Sequence, residues 1–282
     1  QYNDTIPRPV TVVPSDVIAI VGSAPIYRLA AENQLVNKAQ RSESPVDDAV
    51  VAGPKRDGFT IPYALDAIRD NNGGTVEIIN VFDPATHKTT ADAVEFTFGS
   101  DDKIQLKRVT GTAPSQTPTT VNAEGLTGTF TVTNQGATVT YTLTTDYTYD
   151  ATDGTITRVD SGAIAAAETV EVTYDYADPS LVTAANVIGG VTGGGSTFAG
   201  LAVLDTIYNL RGYKPKLIIC PGFSDDDGVA AEMVAKGVSL GAYVLLDAPF
   251  GSTRDNAIAG RAGTAPVTNF DTSQRQAILC YP

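Results

Sequence analysis

Residues 197–249 read TFAGLAVLDTIYNLRGYKPKLIICPGFSDDDGVAAEMVAKGVSLGAYVLLDAP, and this stretch decides the fold class of the chain. Its first part predicts a helix that is capped by Ser196 or Thr197 and ended by Gly212 and Pro215, since these residue types begin and end helices. The apolar residues of this helix recur at three- and four-residue spacing, which places them on one buried stripe. They are Phe198, Leu201, Leu204, Ile207 and Tyr208.

The second part of the stretch predicts a strand, a helix and a strand. Residues 216–220 and 243–246 are short apolar runs without polar alternation, which is typical of strands covered on both faces of a parallel sheet. Between them, Ser224 is expected to cap a helix with Asp225–Asp227 in its first turn, and Gly237 to end it. The predicted buried stripe consists of Val229, Ala230, Met233 and Val234.

Outside this stretch, the same signals recur at both ends of the chain. Residues 17–21, 75–81 and 276–280 are further candidate strands, and residues 44–53 and 58–74 carry helix start and stop signals. Strands joined by covering helices predict an α/β core, a parallel or mixed sheet with helices on both faces.

A different composition begins at Pro84 and continues to Val182. This segment is rich in Thr and Tyr with period-two alternation, which is typical of antiparallel sheets with one covered face. Asp153-Gly154 is a hairpin signal, and residues 134–136 are a weaker one. We therefore expect an inserted all-β domain, a sandwich or barrel, at residues 84–182. The discontinuous core would comprise residues 14–83 plus 183–282, preceded by an extended, proline-punctuated N-terminal arm at residues 1–13.

Charge and composition exclude several classes of function. The net charge is −13 over 282 residues, which argues against a surface that neutralises nucleic-acid phosphates. No run of about 18 apolar residues occurs, so the sequence predicts no membrane span, and it opens without a signal-peptide pattern. The two cysteines, Cys220 and Cys280, lie in apolar runs and are expected to be buried and reduced.

Two motifs have residue types that occur in ligand sites. The glycine-rich run Gly189–Thr197 precedes a predicted helix, where a phosphate could bind. Ser196 stands where a phosphate-binding GxxxxGK[ST] loop requires lysine, so a tight turn is the simpler interpretation. Asp225–Asp227 could suggest Ca²⁺, but Lys236 occupies the position of the bidentate ligand in a twelve-residue loop, and helix capping explains these acids more simply.

Two further residues, His87 and Cys220, are of types that act as catalytic groups. His87, the single histidine, lies at the edge of the β segment, where a Ser-His-Asp arrangement would have to reach across domains; we expect a surface residue. Cys220 precedes Pro221-Gly222 at a strand end, as a nucleophile can, but has no base near it in sequence and is expected to be inert. The sequence thus predicts no catalytic, cofactor-binding or metal-binding residue, and no cofactor.

Several blocks resemble contractile tail sheath proteins of bacteriophages and related injection particles. They are SDVIAIVGSAP (15–25), GFTIPYALDAIRDNNGGTVEIINV (58–81), the glycine run with its preceding VIGGV (187–195), and residues 214–249 from KPKLIICPGFSDDDGVAAEMVAKG to LLDAP. The resemblance leaves residues 84–182 uncovered, where the family carries inserted domains of variable size. It implies that the chain is a core piece of a longer protein.

The resemblance also implies a function and partners. Such proteins form stacked rings around a tail tube in the virion tail, after synthesis in the host cytoplasm, and shorten to drive the tube into a bacterial cell. They bind neighbouring sheath subunits through terminal arms added to a sheet, and they bind the tube protein. Because only a short arm precedes the core here, we expect this chain to be monomeric in solution.

Two alternative classes of function stay open on the sequence. One is an α/β hydrolase or nucleotide-binding enzyme, which the sheet-and-helix pattern also permits. The other is a surface glycan-binding or adhesin module that uses the inserted β domain. Its stacking surface would consist of Tyr141, Tyr147, Tyr149, Tyr174 and Tyr176, although aromatic residues are common in sheets for packing reasons alone.

Overall fold

Five parallel strands and one antiparallel edge strand form the main sheet of the molecule. A computed structural model describes residues 16–106, 130–150, 154–264 and 270–281. The predicted arm at residues 1–13 lies outside the described residues, as do residues 110–120, whose two prolines and five threonines predict a loop. Within the main sheet the strand order is 14-13-12-1-3-2, counting strands from the N-terminus.

The elements are as follows. The strands are β1 (Ile18–Gly22), β2 (Ala39–Ser42), β3 (Val76–Asn80), β4 (Lys88–Thr97), β5 (Lys103–Gln105), β6 (Phe130–Asn134), β7 (Tyr147–Asp150), β8 (Thr155–Arg158), β9 (Thr169–Ala177), β10 (Gly190–Thr192), β11 (Thr197–Ala199), β12 (Leu217–Ile219), β13 (Tyr243–Asp247) and β14 (Ala277–Cys280). The α-helices are α1 (Pro45–Val51), α2 (Ile61–Asp70), α3 (Ala184–Ile188), α4 (Leu204–Arg211), α5 (Asp227–Leu240) and α6 (Arg254–Arg261).

Helices pack on both faces of the main sheet, because successive side chains of a strand point to opposite faces. One cluster joins β1 and β3 to α2 through Ile20, Val76, Ile78, Ile61 and Leu65. The cluster on the other face joins the strands to α4 and α5 through Ala19, Ile218, Val244, Leu246, Ile207, Val229 and Met233. The α/β character that the sequence predicts is confirmed, and the sheet is of the mixed type.

The helix predicted after the glycine run begins later than expected. Residues 197–199 pair with β10 as a strand instead, so neither Ser196 nor Thr197 caps a helix. Gly200 then turns the chain at a φ of 55°, where a Cβ atom would lie 2.3 Å from the Val187 carbonyl oxygen. A 3₁₀ turn precedes α4, which places Tyr208 on the exposed side rather than in the predicted stripe. Gly212 ends the helix, as predicted.

The bounds of α5 also differ from those predicted. Asp226 rather than Ser224 caps the helix, and its carboxylate accepts a hydrogen bond from the backbone N–H of Val229 at 3.0 Å. Gly237 does not end the helix, which continues to Leu240 and stops at Gly241, whose φ is 69°. Gly237 is instead the place where α5 packs closely on β13, since a Cβ there would lie 2.9 Å from Val244 Cγ1.

Residues 88–177 contain two three-stranded antiparallel sheets, β4-β9-β6 and β5-β8-β7. β7 and β8 form the hairpin that the Asp153-Gly154 signal predicts, and Asn134 begins the turn predicted at residues 134–136. The two sheets share a hydrophobic cluster that is separate from the clusters of the main sheet. No helix occurs among the residues described between β4 and β9.

Candidate functional sites

The crevice between β1 and β12 is where an α/β sheet of this order would bind a ligand. β3 is added on one side of β1 and β12 on the other, so the strand order reverses between β1 and β12. In α/β sheets, a crevice opens at such a point, outside the carboxyl ends of the strands. Here Thr60 fills the crevice. Its Oγ1 accepts a hydrogen bond from Ser23 N–H at 3.2 Å. A Cβ atom built on Gly22 would lie 2.5 Å from Thr60 Oγ1, and one on Gly222 would lie 2.9 Å from Thr60 Cγ2.

A second depression lies beside it, at the carboxyl ends of β13 and β14. It has a volume of about 450 Å³ and is lined by Gly222, Ser224, Asp225, Asp247, Ala248, Phe250, Cys280 and Tyr281. The Ser224 hydroxyl donates a hydrogen bond to Asp247 Oδ2 at 2.7 Å and accepts one from Asp247 N–H at 3.2 Å. Ser224 therefore ties the loop after β12 to the end of β13 and is not oriented by a basic side chain.

The two cysteines differ in exposure. Cys220 is buried, as predicted, and burial raises the pKa of its thiol far above the usual range, so it is a poor nucleophile. Cys280 is half-buried, which corrects the prediction of a buried residue, and burial also raises its thiol pKa. Both are free thiols.

The glycine run forms an exposed hairpin. β10 and β11 pair antiparallel across a turn at residues 193–195, and added Cβ atoms on Gly194 and Gly195 would meet nothing within 4 Å. The run is therefore a tight turn, in agreement with the simpler interpretation of the sequence. Since it leads into a strand and not into a helix, it presents no helix N-terminus to a phosphate.

Asp226 caps α5, so the Asp225–Asp227 run serves the start of a helix and not a calcium-binding loop. Asp227 accepts a hydrogen bond from the N–H of Gly228 at 3.0 Å, next to the capping bond. Across the part of the chain that is described, no group of three or more His, Cys, Asp or Glu side chains is placed to hold a metal ion.

His87 is buried, which corrects the expectation of a surface residue. Its Nδ1 accepts a hydrogen bond from the backbone N–H of Asp83 at 2.9 Å, and its ring lies 5.6 Å from that of Phe82. Burial lowers the pKa of the imidazole. His87 thus packs at the junction between the main sheet and the β segment.

The five tyrosines considered as a glycan platform do not form one. Tyr141, Tyr147 and Tyr174 are buried in the cluster of the β segment, and Tyr149 and Tyr176 pack against that cluster. Phe130 lies against Tyr149 with ring centroids 4.6 Å apart. Since these rings pack against each other, they are not available to stack on a sugar.

Sequence reasoning missed a buried ionic cluster at β3. Glu77 is fully buried, and its Oε1 accepts a hydrogen bond from Tyr213 Oη at 2.5 Å and lies 3.4 Å from Arg211 Nε. Arg41, which pairs with Glu77 across β2 and β3, stands 5.8 Å from the Tyr213 ring centre. The signal was a single glutamate inside the apolar run 75–81, which is costly to bury without partners.

The outer edge of the main sheet at β14 is bordered by exposed apolar side chains. β14 pairs with β13 on one side only among the described residues. Four large apolar side chains around this edge are exposed: Phe250, Ile258, Ile278 and Tyr281. A strand edge with apolar surroundings is suited to pairing with another chain segment.

Comparison with known proteins was made by sequence and by structure. No family model matches the chain. The tail sheath protein of the Burkholderia phage BcepMu is 41% identical over 280 residues, which covers 99% of this chain and 54% of that protein. A sheath tail protein from Listeria innocua is similar over 84% of this chain and 48% of its own, at 10% identity and a TM-score of 0.30. None of the described helices is long and apolar enough to cross a membrane.

The match to the phage protein runs through the core blocks and also through the β segment. Because 99% of the chain is covered at 41% identity, the match includes residues 84–182, for which the sequence patterns suggested no relative. The chain spans about half the length of the curated relative it matches. Along nearly its whole length, the chain is therefore similar to a phage tail sheath protein.

Proposed function

We propose that this protein is a structural subunit of a contractile tail sheath, which assembles around a tail tube and shortens to drive the tube into a bacterial cell. The observation that carries the proposal is the 41% identity to a phage tail sheath protein along 99% of this chain. The protein is accordingly a component of the virion tail. Contraction requires rigid bodies whose interfaces repack between two arrangements, and a sheet packed with helices on both faces is such a body.

We propose that the chain is divided into an arm at residues 1–13, a core of residues 14–83 plus 183–282, and an inserted all-β domain at residues 84–182. Support comes from the separate hydrophobic cluster of the β segment and from its two connections, which lie side by side. Lys88, the first residue of β4, pairs with Ala177, the last residue of β9. An insertion that leaves and returns at one place leaves the core continuous in space.

We propose that the protein has no enzymatic activity and uses no cofactor. Support comes from the filled crevice at Thr60 and from the structural roles of Ser224 and Cys220 described above. The Ser224 hydroxyl forms hydrogen bonds with both the carboxylate and the backbone N–H of Asp247. It therefore has a structural role, and no basic side chain activates it as a nucleophile.

The proposed partners are neighbouring sheath subunits and the tube protein. Within the described part of the chain, the outer edge of β14 pairs with no other strand, so it can accept an arm of a neighbour by strand addition. The net charge of −13 supports a surface that does not bind nucleic acid. We expect this 282-residue chain on its own to be a monomer, because lattice formation in this proposal needs arms and regions of the longer protein.

Electron microscopy of the full-length protein, produced together with its tube protein, tests the proposal. We expect tubes of stacked rings in a long and a short form, and light scattering of the 282-residue chain should show a monomer. Particles without regular polymer in the presence of the tube protein would contradict the proposal. Under those conditions, a rise in Tm with nucleotides or binding on a glycan array would favour the alternative classes.

A further inference from the structure

Half of one face of the main sheet is apolar and has no covering layer among the described residues. On the face that carries α1 and α2, the helices cover β1, β3 and β2. The side chains of β12, β13 and β14 that point to the same side form a set that we call the open face. It consists of Leu217, Ile219, Tyr243, Leu245, Ile278 and Cys280, and of Asp247 at the carboxyl-terminal rim, where Ser224 donates a hydrogen bond to its carboxylate.

Exposure values show that the described residues cover this half of the sheet fully on one side only. Tyr243 is 55% exposed and Ile278 is 45% exposed, although β13 is an inner strand of the sheet. Their neighbours on the opposite face, Val244 and Ala277, are 0% and 4% exposed because α5 and its surroundings pack there. Of the open face, only Ile219 packs against the α2 cluster.

Parallel strands with one bare face are unusual, because the helical crossovers of such sheets normally cover both sides. Strands lie about 4.8 Å apart, so the open face is roughly 10 Å wide, about the diameter of one helix. The α1 and α2 layer stands about one helix diameter above the other half of the same face. The open face is therefore recessed below the α1 and α2 layer by about the diameter of one helix, and it is about as wide as one helix.

We propose that an amphipathic helix of the full-length protein, from the region outside this chain, packs on the open face and completes the core. The chain matches only 54% of the related phage protein, so a protein of that length has ample residues to supply the helix. The helix that fits presents aliphatic or aromatic residues at three- and four-residue spacing. This inference does not depend on the proposed function.

Thiol labelling tests the proposal with two matched variants. Tyr243→Cys reports on the open face, and Tyr208→Cys is the control, because Tyr208 is 56% exposed on the solvent side of α4. Both are made with Cys280→Ser, while Cys220 is buried and stays. The rate of reaction with a maleimide dye is measured in the 282-residue chain and in the full-length protein over a range of concentrations, with the particle size followed by light scattering.

In the 282-residue chain, both cysteines should react at similar rates. In the full-length protein, the labelling rate of Tyr243→Cys should fall by a factor of about ten or more, because reaction then requires local opening. The labelling rate of the control should be unchanged. This protection should be independent of protein concentration. Should Tyr243→Cys prevent folding, as judged by circular dichroism, Ile278→Cys takes its place.

Three results would overturn the proposal. Equal labelling in both proteins would mean that the open face stays bare. Protection that appears only as the full-length protein associates would assign the cover to a second copy. Slow labelling already in the 282-residue chain would place the cover within its own residues.

Discussion

The carbonyl oxygen of His87 accepts a hydrogen bond from the backbone N–H of Asp178 at 3.0 Å. This bond joins the place where the chain leaves the core to the place where it returns. Thr89 Oγ1 donates to Asp178 Oδ2 at 2.7 Å and reinforces the same connection. The two strands that carry the β segment are thus held together at its base.

Deletion of residues 89–176 should leave a folded core. Lys88 and Ala177 pair across β4 and β9, so a short Asn-Gly turn can join them without moving the core. Ala177 is kept because it is buried in the core cluster. We expect a cooperative thermal melt and an α/β circular dichroism spectrum. Residues 88–177 produced separately serve as the control and should also melt cooperatively. A core that loses its cooperative transition would contradict the division into domains.

Stability should depend on the protonation of His87. Burial lowers the imidazole pKa in the folded state, whereas the unfolded value is about 6.5. Protons therefore bind the unfolded state preferentially, so the stabilisation is complete above pH 6.5 and decreases as the pH falls below that value towards the folded pKa. We expect the Tm of the wild type to fall more between pH 7.5 and 5.5 than that of His87→Asn, which retains an acceptor for Asp83 N–H. Parallel pH profiles would be inconsistent with this role.

Gly237→Ala should destabilise the protein although alanine favours helices. The added Cβ would lie 2.9 Å from Val244 Cγ1 and 3.0 Å from the Ala242 carbonyl oxygen, so α5 must move away from β13. Overpacking of this kind costs about 1–3 kcal/mol. In Gly228→Ala, the matched change in the first turn of α5, the closest atom is the Asp226 carboxylate oxygen at 3.2 Å, and the effect should be smaller. Urea unfolding of both variants gives the comparison, and an equal or greater stability of Gly237→Ala would refute the close packing.

Tyr213→Phe should lower the free energy of unfolding by about 1–3 kcal/mol, because it removes the hydroxyl donor from the buried Glu77 carboxylate. Burial and the Glu77 hydrogen bond raise the pKa of Tyr213 to about 12, in keeping with a hydroxyl that stays protonated as a donor. Tyr208→Phe, on the exposed side of α4, is the control and should leave the stability unchanged. Denaturant unfolding at pH 7 measures both; equal effects of the two changes would show that the Glu77 bond contributes nothing.

The regular parts of the core could be predicted from the sequence because local signals and tertiary packing agree there. Residues 75–81 and 243–246 are apolar runs, and each lies within one residue of an observed strand, Val76–Asn80 and Tyr243–Asp247. Ser44 caps α1 by accepting a hydrogen bond from Asp47 N–H, as its start signal predicts. The class of the fold follows from such segments alone.

Other features depended on contacts that no local pattern encodes. Gly237 carries a helix-ending signal, yet its real role is the close approach of α5 to β13, a contact between two elements. Ser224 fits a cap, but Asp247 on another strand holds its hydroxyl. α6 was missed because Asn256 and Gly260 weaken its helix propensity, although Thr253 caps it with a bond from Asn256 N–H at 3.2 Å.

The position of β1 has a consequence for synthesis on the ribosome. Ile18 lies between Val76 of β3 on one side and Leu217 of β12 on the other, so one flank of β1 stays open after β3 has paired, until β12 emerges much later. The β segment, whose contacts are local to residues 88–177, can mature meanwhile. We therefore expect a stage of synthesis at which the β segment has folded while the main sheet still lacks β12, β13 and β14. Chaperones that shield unpaired strands would have most effect at this stage.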